Sequence, residues 1–255
     1  MSLAIITGAS SGIGKEFARQ LKAKGVDEFW LIARREEMMA ELSEELGVTC
    51  KIIKADLATD EGIEIYRSVL ESENPRVKYL INAAGFGVYG AFNEVEESVV
   101  KKMIDLNVKA LVLITHMTVP YMELGGRIVQ MGSGSCFTPL PYFNIYSSSK
   151  TFVLHYTKSL NYELKDYGVR ATCFCPGYVE TEFLGKAEKP GVLVPKEYKP
   201  LLKCDAVVAG CIKAMEKGKV MYVTNWYTKL QHLLFKILPD FILTRIWLGT
   251  LKRNQ

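Results

Sequence analysis

The stretch Tyr146-Ser-Ser-Ser-Lys150 sets a phenol and an ammonium one helical turn apart on the same face. None of the other twelve tyrosines has a lysine four positions on. About one such pair is expected by chance in a chain this rich in both residues, so the spacing gains its weight from Ser133, 13 residues earlier at the end of an apolar run. A phenol of pKa about 10 is a poor proton donor or base at neutral pH until a nearby cation stabilises its phenolate, and a positioned serine hydroxyl can hold the reacting oxygen. The chemistry that suits these groups is the proton transfer that accompanies hydride transfer. Ser135 competes for the serine role at a spacing of 11 and ranks second.

A second cluster, Thr7-Gly-Ala-Ser-Ser-Gly-Ile-Gly14, lies between an apolar run and a helical stretch. Here Gly8, Ser10, Ser11, Gly12, Ile13 and Gly14 would let the backbone approach a pyrophosphate at a helix N-terminus, whose free N–H groups and positive dipole end favour an anion. A plain turn is the alternative. Ala33-Arg34-Arg35 ends the next apolar run, where an acid would bind a ribose 2′-hydroxyl. Two cations just before a helix start are misplaced unless an anion joins them, and the 2′-phosphate of NADP(H) is such an anion. Arg34 and Arg35 therefore favour NADP(H) over NAD(H), against the blander reading of a solvated pair offset by Glu36 and Glu37.

These groups need a frame. Strands are predicted at Leu3–Thr7, Glu28–Ala33, Thr49–Lys54, Tyr79–Asn82, Arg127–Met131, Val169–Cys175 and Lys219–Val223, several nearly all apolar, as strands buried on both faces must be. Helical periods fall near 12–25, 36–46, 60–72, 96–118, 146–167 and 205–217. The alternation predicts a single-domain, Rossmann-type α/β fold with a doubly wound parallel sheet of about seven strands. Residues 182–203 hold three of the nine prolines and no clean period, which reads as a substrate lid.

With these motifs in this order, the chain resembles the short-chain dehydrogenase/reductase family over essentially its whole length, and within it the NADP-preferring carbonyl reductases and hydroxysteroid dehydrogenases. The resemblance implies that Asp56-Leu57 contacts the adenine, that Asn82-Ala83-Ala84-Gly85 stands for a strand-four Asn-Asn-Ala-Gly with one substitution, and that Asn107 is the family's helix asparagine, holding a relay water. Pro176-Gly177, with Val179 and Thr181, resembles the segment that holds the nicotinamide. The implied tetrad is Asn107, Ser133, Tyr146 and Lys150. Tyr146 would transfer the proton, Lys150 would lower its pKa and grip the nicotinamide ribose, and Ser133 would orient the substrate oxygen. Departures from the pattern are Ala83 and the glycine-flanked Ser133-Gly134-Ser135. The implied activity interconverts a carbonyl and a secondary alcohol with NADP(H). A 3-oxoacyl reductase, or a non-catalytic NADP-binding sensor or scaffold, is the alternative.

The 255 residues, 49% hydrophobic and 24% charged, exclude disordered, collagen-like and disulfide-stapled classes. Six cysteines form no C-x-x-C pair, three histidines are isolated, and no metal site is expected. The N-terminal apolar run lacks a basic leader, so the expected location is cytoplasmic. Residues 229–255 carry Lys229, Lys236, Arg245, Lys252 and Arg253 against Asp240, leaving 1–228 with 27 basic and 27 acidic groups and no basic face for nucleic acid. That tail repeats leucines, isoleucines and Phe241 at helical spacing, interrupted by Pro239. It reads as an amphipathic extension after a catalytic domain at 1–228, packing on the body, covering the cleft, or touching a membrane surface peripherally. Phe86, Val88, Cys136, Pro141, Tyr142 and the lid would wall the cleft, favouring a bulky lipophilic substrate of steroid or bile-acid type. A homodimer or homotetramer is the expected assembly.

Overall fold

The computed structural model describes residues 2–254, apart from the side chain of Lys236. In chain order the elements are β1 (Leu3–Thr7), α1 (Gly12–Ala23), β2 (Glu28–Ala33), α2 (Glu36–Leu46), β3 (Thr49–Lys54), α3 (Asp60–Glu73), β4 (Val77–Asn82), α4 (Glu97–Ile104), α5 (Leu111–Thr118), β5 (Met122–Met131), α6 (Asn144–Glu163), β6 (Arg170–Cys175), β7 (Tyr178–Val179), α7 (Glu182–Ala187), β8 (Leu193–Pro195), β9 (Leu201–Leu202), α8 (Cys204–Glu216), β10 (Met221–Val223), α9 (Trp226–Ile237), α10 (Asp240–Gly249) and β11 (Leu251–Arg253). Seven of these strands form one parallel sheet in the order β10-β6-β5-β4-β1-β2-β3.

Side-chain alternation along the strands feeds two cores. Ala4, Ile6, Phe29 and Leu31 face α1, α2 and α8 through Phe17, Met39 and Ile212, whereas Leu3, Ile5, Trp30 and Ile32 face α3 and α5 through Tyr66 and Ile114. Both faces are covered, which explains the unbroken apolar runs of β1 and β2. Phe17, fully buried, meets Phe174 edge-on at 6.2 Å, and truncating it to Ala is worth about 3–5 kcal/mol.

The sequence and the structure part at three places. The predicted helix over 96–118 is α4 and α5 joined by a π-helical segment, Asp105–Ala110, which contains Asn107. The lid over 182–203 holds α7, β8 and β9, with β9 paired to β7 and β8 paired antiparallel to β11. Elements of two or three residues are too short for any periodicity to register. In the tail, Pro239 splits the apolar stripe into α9 and α10 as expected, but the chain then returns to the lid through β11, which no period announced.

Candidate active site

Strand order reverses between β1 and β4, so a crevice opens beyond their C-terminal ends, the usual ligand site of open α/β sheets. The turn after β1 fills it. Gly8 sits at φ +69°, and a Cβ there would lie 2.8 Å from the Ala84 backbone nitrogen, so only glycine lets the two strand ends meet. Thr7 Oγ1 accepts from that same nitrogen at 3.1 Å. The next residues start α1, whose first turn holds no acid to compete for an incoming anion.

The two arginines have separate positions. Arg35 donates through Nη2 to Ser11 Oγ at 2.7 Å, and its Nη1 lies 3.1 Å from Glu182 at the start of α7. Arg34 is largely exposed and reaches Asp56 at 3.7 Å. Neither arginine is offset by Glu36, which pairs with Lys54 at 3.2 Å. The cation pair thus lies across the crevice, with one member bridging the glycine-rich turn and the lid.

A cavity of about 690 Å³ runs from this turn to the tail. Gly8, Ser10, Ser11, Gly12, Ile13, Gly14, Arg34, Arg35, Asp56, Leu57, Ala83, Gly85, Pro176, Gly177, Val179 and Thr181 line it, as do Ser133, Tyr146 and Lys150. Asn82 does not. Its amide is buried, donating to Thr115 Oγ1 at 2.9 Å and Gln130 Oε1 at 3.0 Å, and so ties β4 to β5 and α5. Asn107 also lies behind the wall, fully buried. It donates to the Phe86 carbonyl at 2.8 Å and to Ser149 Oγ at 3.2 Å, and accepts from the Phe86 N–H at 3.1 Å. A Cβ on Gly85 would sit 2.9 Å from its Oδ1 and 3.3 Å from Lys150 Nζ, a cradle that excludes any side chain.

At the centre, Lys150 is buried and donates to the Met131 carbonyl at 2.8 Å, with Nζ 5.5 Å from the centre of the Tyr146 ring. Among the described residues no acid pairs with it, and burial lowers its pKa to about 8. Burial likewise raises the Tyr146 phenol well above its ordinary value, against an opposing hydrogen bond from Ser133. The Ser133 hydroxyl also accepts from the Ser135 N–H at 3.2 Å, whereas Ser135 Oγ and Thr138 Oγ1 line the cavity with no partner among the described residues. Tyr146 stacks on Phe143 at 4.5 Å, and Phe143 on Tyr89 at 4.0 Å, so the ring cannot swing away from the serine.

The apolar end differs from the expected wall. Phe86 and the lid contribute, but Val88, Cys136, Pro141 and Tyr142 do not. Cys136 turns towards Cys175, sulfur to sulfur at 3.8 Å, and Val88 packs inward. Their places are taken by Tyr89, Leu140 and Phe143 together with Leu230, Leu234 and Trp247 of the tail. The spacing of Phe143, one helical turn before Tyr146, was the available signal for its position. The helical repeat of the tail marked Leu230 and Leu234, with cleft coverage one of its three expected outcomes, whereas no local signal marked Trp247.

The short chain dehydrogenase family model matches residues 2–190. The chain belongs to that family. This short-chain dehydrogenase is 35% identical over 190 residues to sulfoacetaldehyde reductase 2 of Chromohalobacter salexigens, covering 71% of this chain and 74% of that one. It is 33% identical over 187 residues to the human inactive hydroxysteroid dehydrogenase-like protein 1, covering 70% and 56%. Among solved structures it resembles a short-chain dehydrogenase from Sphingobium yanoikuyae in complex with NADPH, at 25% identity and a TM-score of 0.78 over 94% of this chain and 97% of that one. A CH–OH/C=O oxidoreductase that binds a nicotinamide dinucleotide and a small-molecule substrate follows for this family member.

Proposed function

We propose that this short-chain dehydrogenase uses NADP(H) to interconvert a carbonyl and a secondary alcohol on a bulky lipophilic substrate, of steroid or bile-acid type. The observation that carries the reading is one continuous cavity, lined by Arg34 and Arg35 with their partner acids at one end and apolar at the tail end, with Tyr146, Lys150 and Ser133 between. A dinucleotide fits the first part. Ser10, Ser11 and the N-terminus of α1 would hold its pyrophosphate, and Arg34 and Arg35 its 2′-phosphate. Asp56 and Leu57 would hold its adenine, and Gly177, Val179 and Thr181 its nicotinamide.

The dinucleotide supplies or accepts a hydride. During reduction, Tyr146 donates its proton to the carbonyl oxygen, a transfer that burial of the phenol opposes and that the Lys150 ammonium favours by stabilising the phenolate. Lys150 then faces the developing phenolate in a dry site, where its charge acts most strongly. The Ser133 hydroxyl orients the oxygen. Asn107 is a positioning residue, fixing the Phe86 backbone and Ser149.

The inactive human relative favours a second reading, a dinucleotide-binding protein without turnover. Against it stands the intact Ser133, Tyr146 and Lys150 set. With this reading goes a homodimer or homotetramer in the cytoplasm. Following nicotinamide oxidation over a panel of ketones tests the assignment. NADPH should be consumed, with KM falling as the apolar bulk of the ketone grows. Tight NADPH binding with no turnover would support the second reading, and a preference for NADH would remove the role given to Arg34 and Arg35.

A further inference from the structure

We infer that the outer faces of α9 and α10 dock on an anionic phospholipid surface, placing the apolar mouth of the cavity against the bilayer so that substrate passes between lipid and cavity. Trp226, Leu233 and Ile237 share one face of α9 and are 74%, 54% and 71% exposed. On α10, Phe241 and Leu248 share a face at 66% and 40% exposure. None of the five lines the cavity. Leu230, Leu234 and Ile246 do line it and are themselves exposed, so the same two helices carry apolar side chains from the cavity lining to the outer patch. Exposed apolar area of this extent marks an interaction site.

The cations select the partner. Lys229 stands between Trp226 and Leu233 on the helix surface, Arg245 between Phe241 and Leu248, and Lys252 and Arg253 are exposed on β11. Asp240 is the one acid of residues 229–255, while the remainder of the chain is balanced in charge. Apolar side chains interleaved with Lys and Arg fit an anionic lipid interface, where both kinds of residue gain. A second copy fits worse, because a twofold contact would lay this patch on itself, cation against cation. No helix among the described residues is long and apolar enough to cross a membrane, so the contact is peripheral.

Docking stands on this surface alone, whereas substrate passage rests on the reductase reading. The intact protein should co-sediment with vesicles of phosphatidylcholine plus phosphatidylserine. Binding should fall about tenfold or more when phosphatidylserine is omitted or salt is raised towards 1 M. The variant L233E/I237E/F241E should lose sedimentation yet turn over a water-soluble ketone at the parental rate, and turn over a vesicle-borne ketone about tenfold more slowly. Absence of sedimentation by the intact protein at low salt would overturn the docking, as would sedimentation unchanged in the variant. An oligomer that falls apart in the variant, with no vesicle binding by the parent, would also overturn it by assigning the patch to a second copy. Sedimentation without turnover of any ketone would overturn the passage and the reductase reading together, leaving the docking in place.

Discussion

Lys150 carries a charge that no acid among the described residues compensates, since it donates to the neutral Met131 carbonyl and burial holds its pKa near 8. A lysine depressed in the folded state costs stability fully where both states are protonated, below about pH 8, and the cost fades as pH rises towards the unfolded value of about 10.4. Function runs the opposite way, because ribose binding and phenolate stabilisation both use the ammonium. Calorimetric titration of the cofactor-free protein should therefore show NADPH affinity declining as pH passes about 8. A Lys150→Met variant should bind weakly with no such limb, and a parental affinity that stays level to pH 10 would remove the ribose role. Tyr146 makes the complementary case. Tyr146→Phe keeps the stack on Phe143 and loses only the proton, so kcat should fall by about 10²–10⁴ while the NADPH Kd changes little. Turnover within a few-fold of the parent would dismiss Tyr146 as the acid.

The elements explain which of these groups move together. Arg35 holds Ser11 in the glycine-rich turn and Glu182 at the first residue of α7, so an arriving 2′-phosphate competes with the lid's own carboxylate. Exposed pairs of this kind are worth about 0.2–1 kcal/mol. Glu182→Gln should then tighten NADPH binding by about 1.4- to fivefold and leave NADH unaffected, as fluorescence titration would show, and equal effects on both would break the link. Arg34→Asp should shift kcat/KM from NADPH towards NADH by more than about tenfold. The pairing with Glu182 was not legible in sequence, since 147 residues separate the partners. The positions of Arg34 and Arg35 themselves were legible, because βα units fix where a strand end meets a helix start. The same logic made β1 to β6 readable, and failed at β8, β9 and β11, whose pairings are set by the packing of lid and tail rather than by local pattern.

At the scale of the molecule, the lid and the tail form one cap over the cavity. β8 pairs with β11, Lys196 donates to the Gly249 carbonyl at 2.8 Å, and Trp247 Nε1 donates to the Pro141 carbonyl at 2.8 Å, five residues before Tyr146. Amphipathicity announced that α9 and α10 would bury one face, but not that the cavity would be what they cover, because the stripe records burial without naming the surface beneath it. Packing and cleft coverage turn out to be the same arrangement. The lid reaches Tyr146 directly, Phe183 lying 5.4 Å from its ring, and Trp247 ties the tail to the loop before α6 by a neutral hydrogen bond worth about 0.5–1.5 kcal/mol. Trp247→Phe keeps most of the ring's bulk and removes that bond. If the cap forms the substrate wall, this variant should raise KM for a bulky ketone by about two- to tenfold and leave a small ketone's kcat/KM and the NADPH Kd as they were. A cap that served stability alone would lower Tm and leave both ketones unchanged. The ratio of the two KM values, measured well below the variant's Tm, separates a wall from a brace.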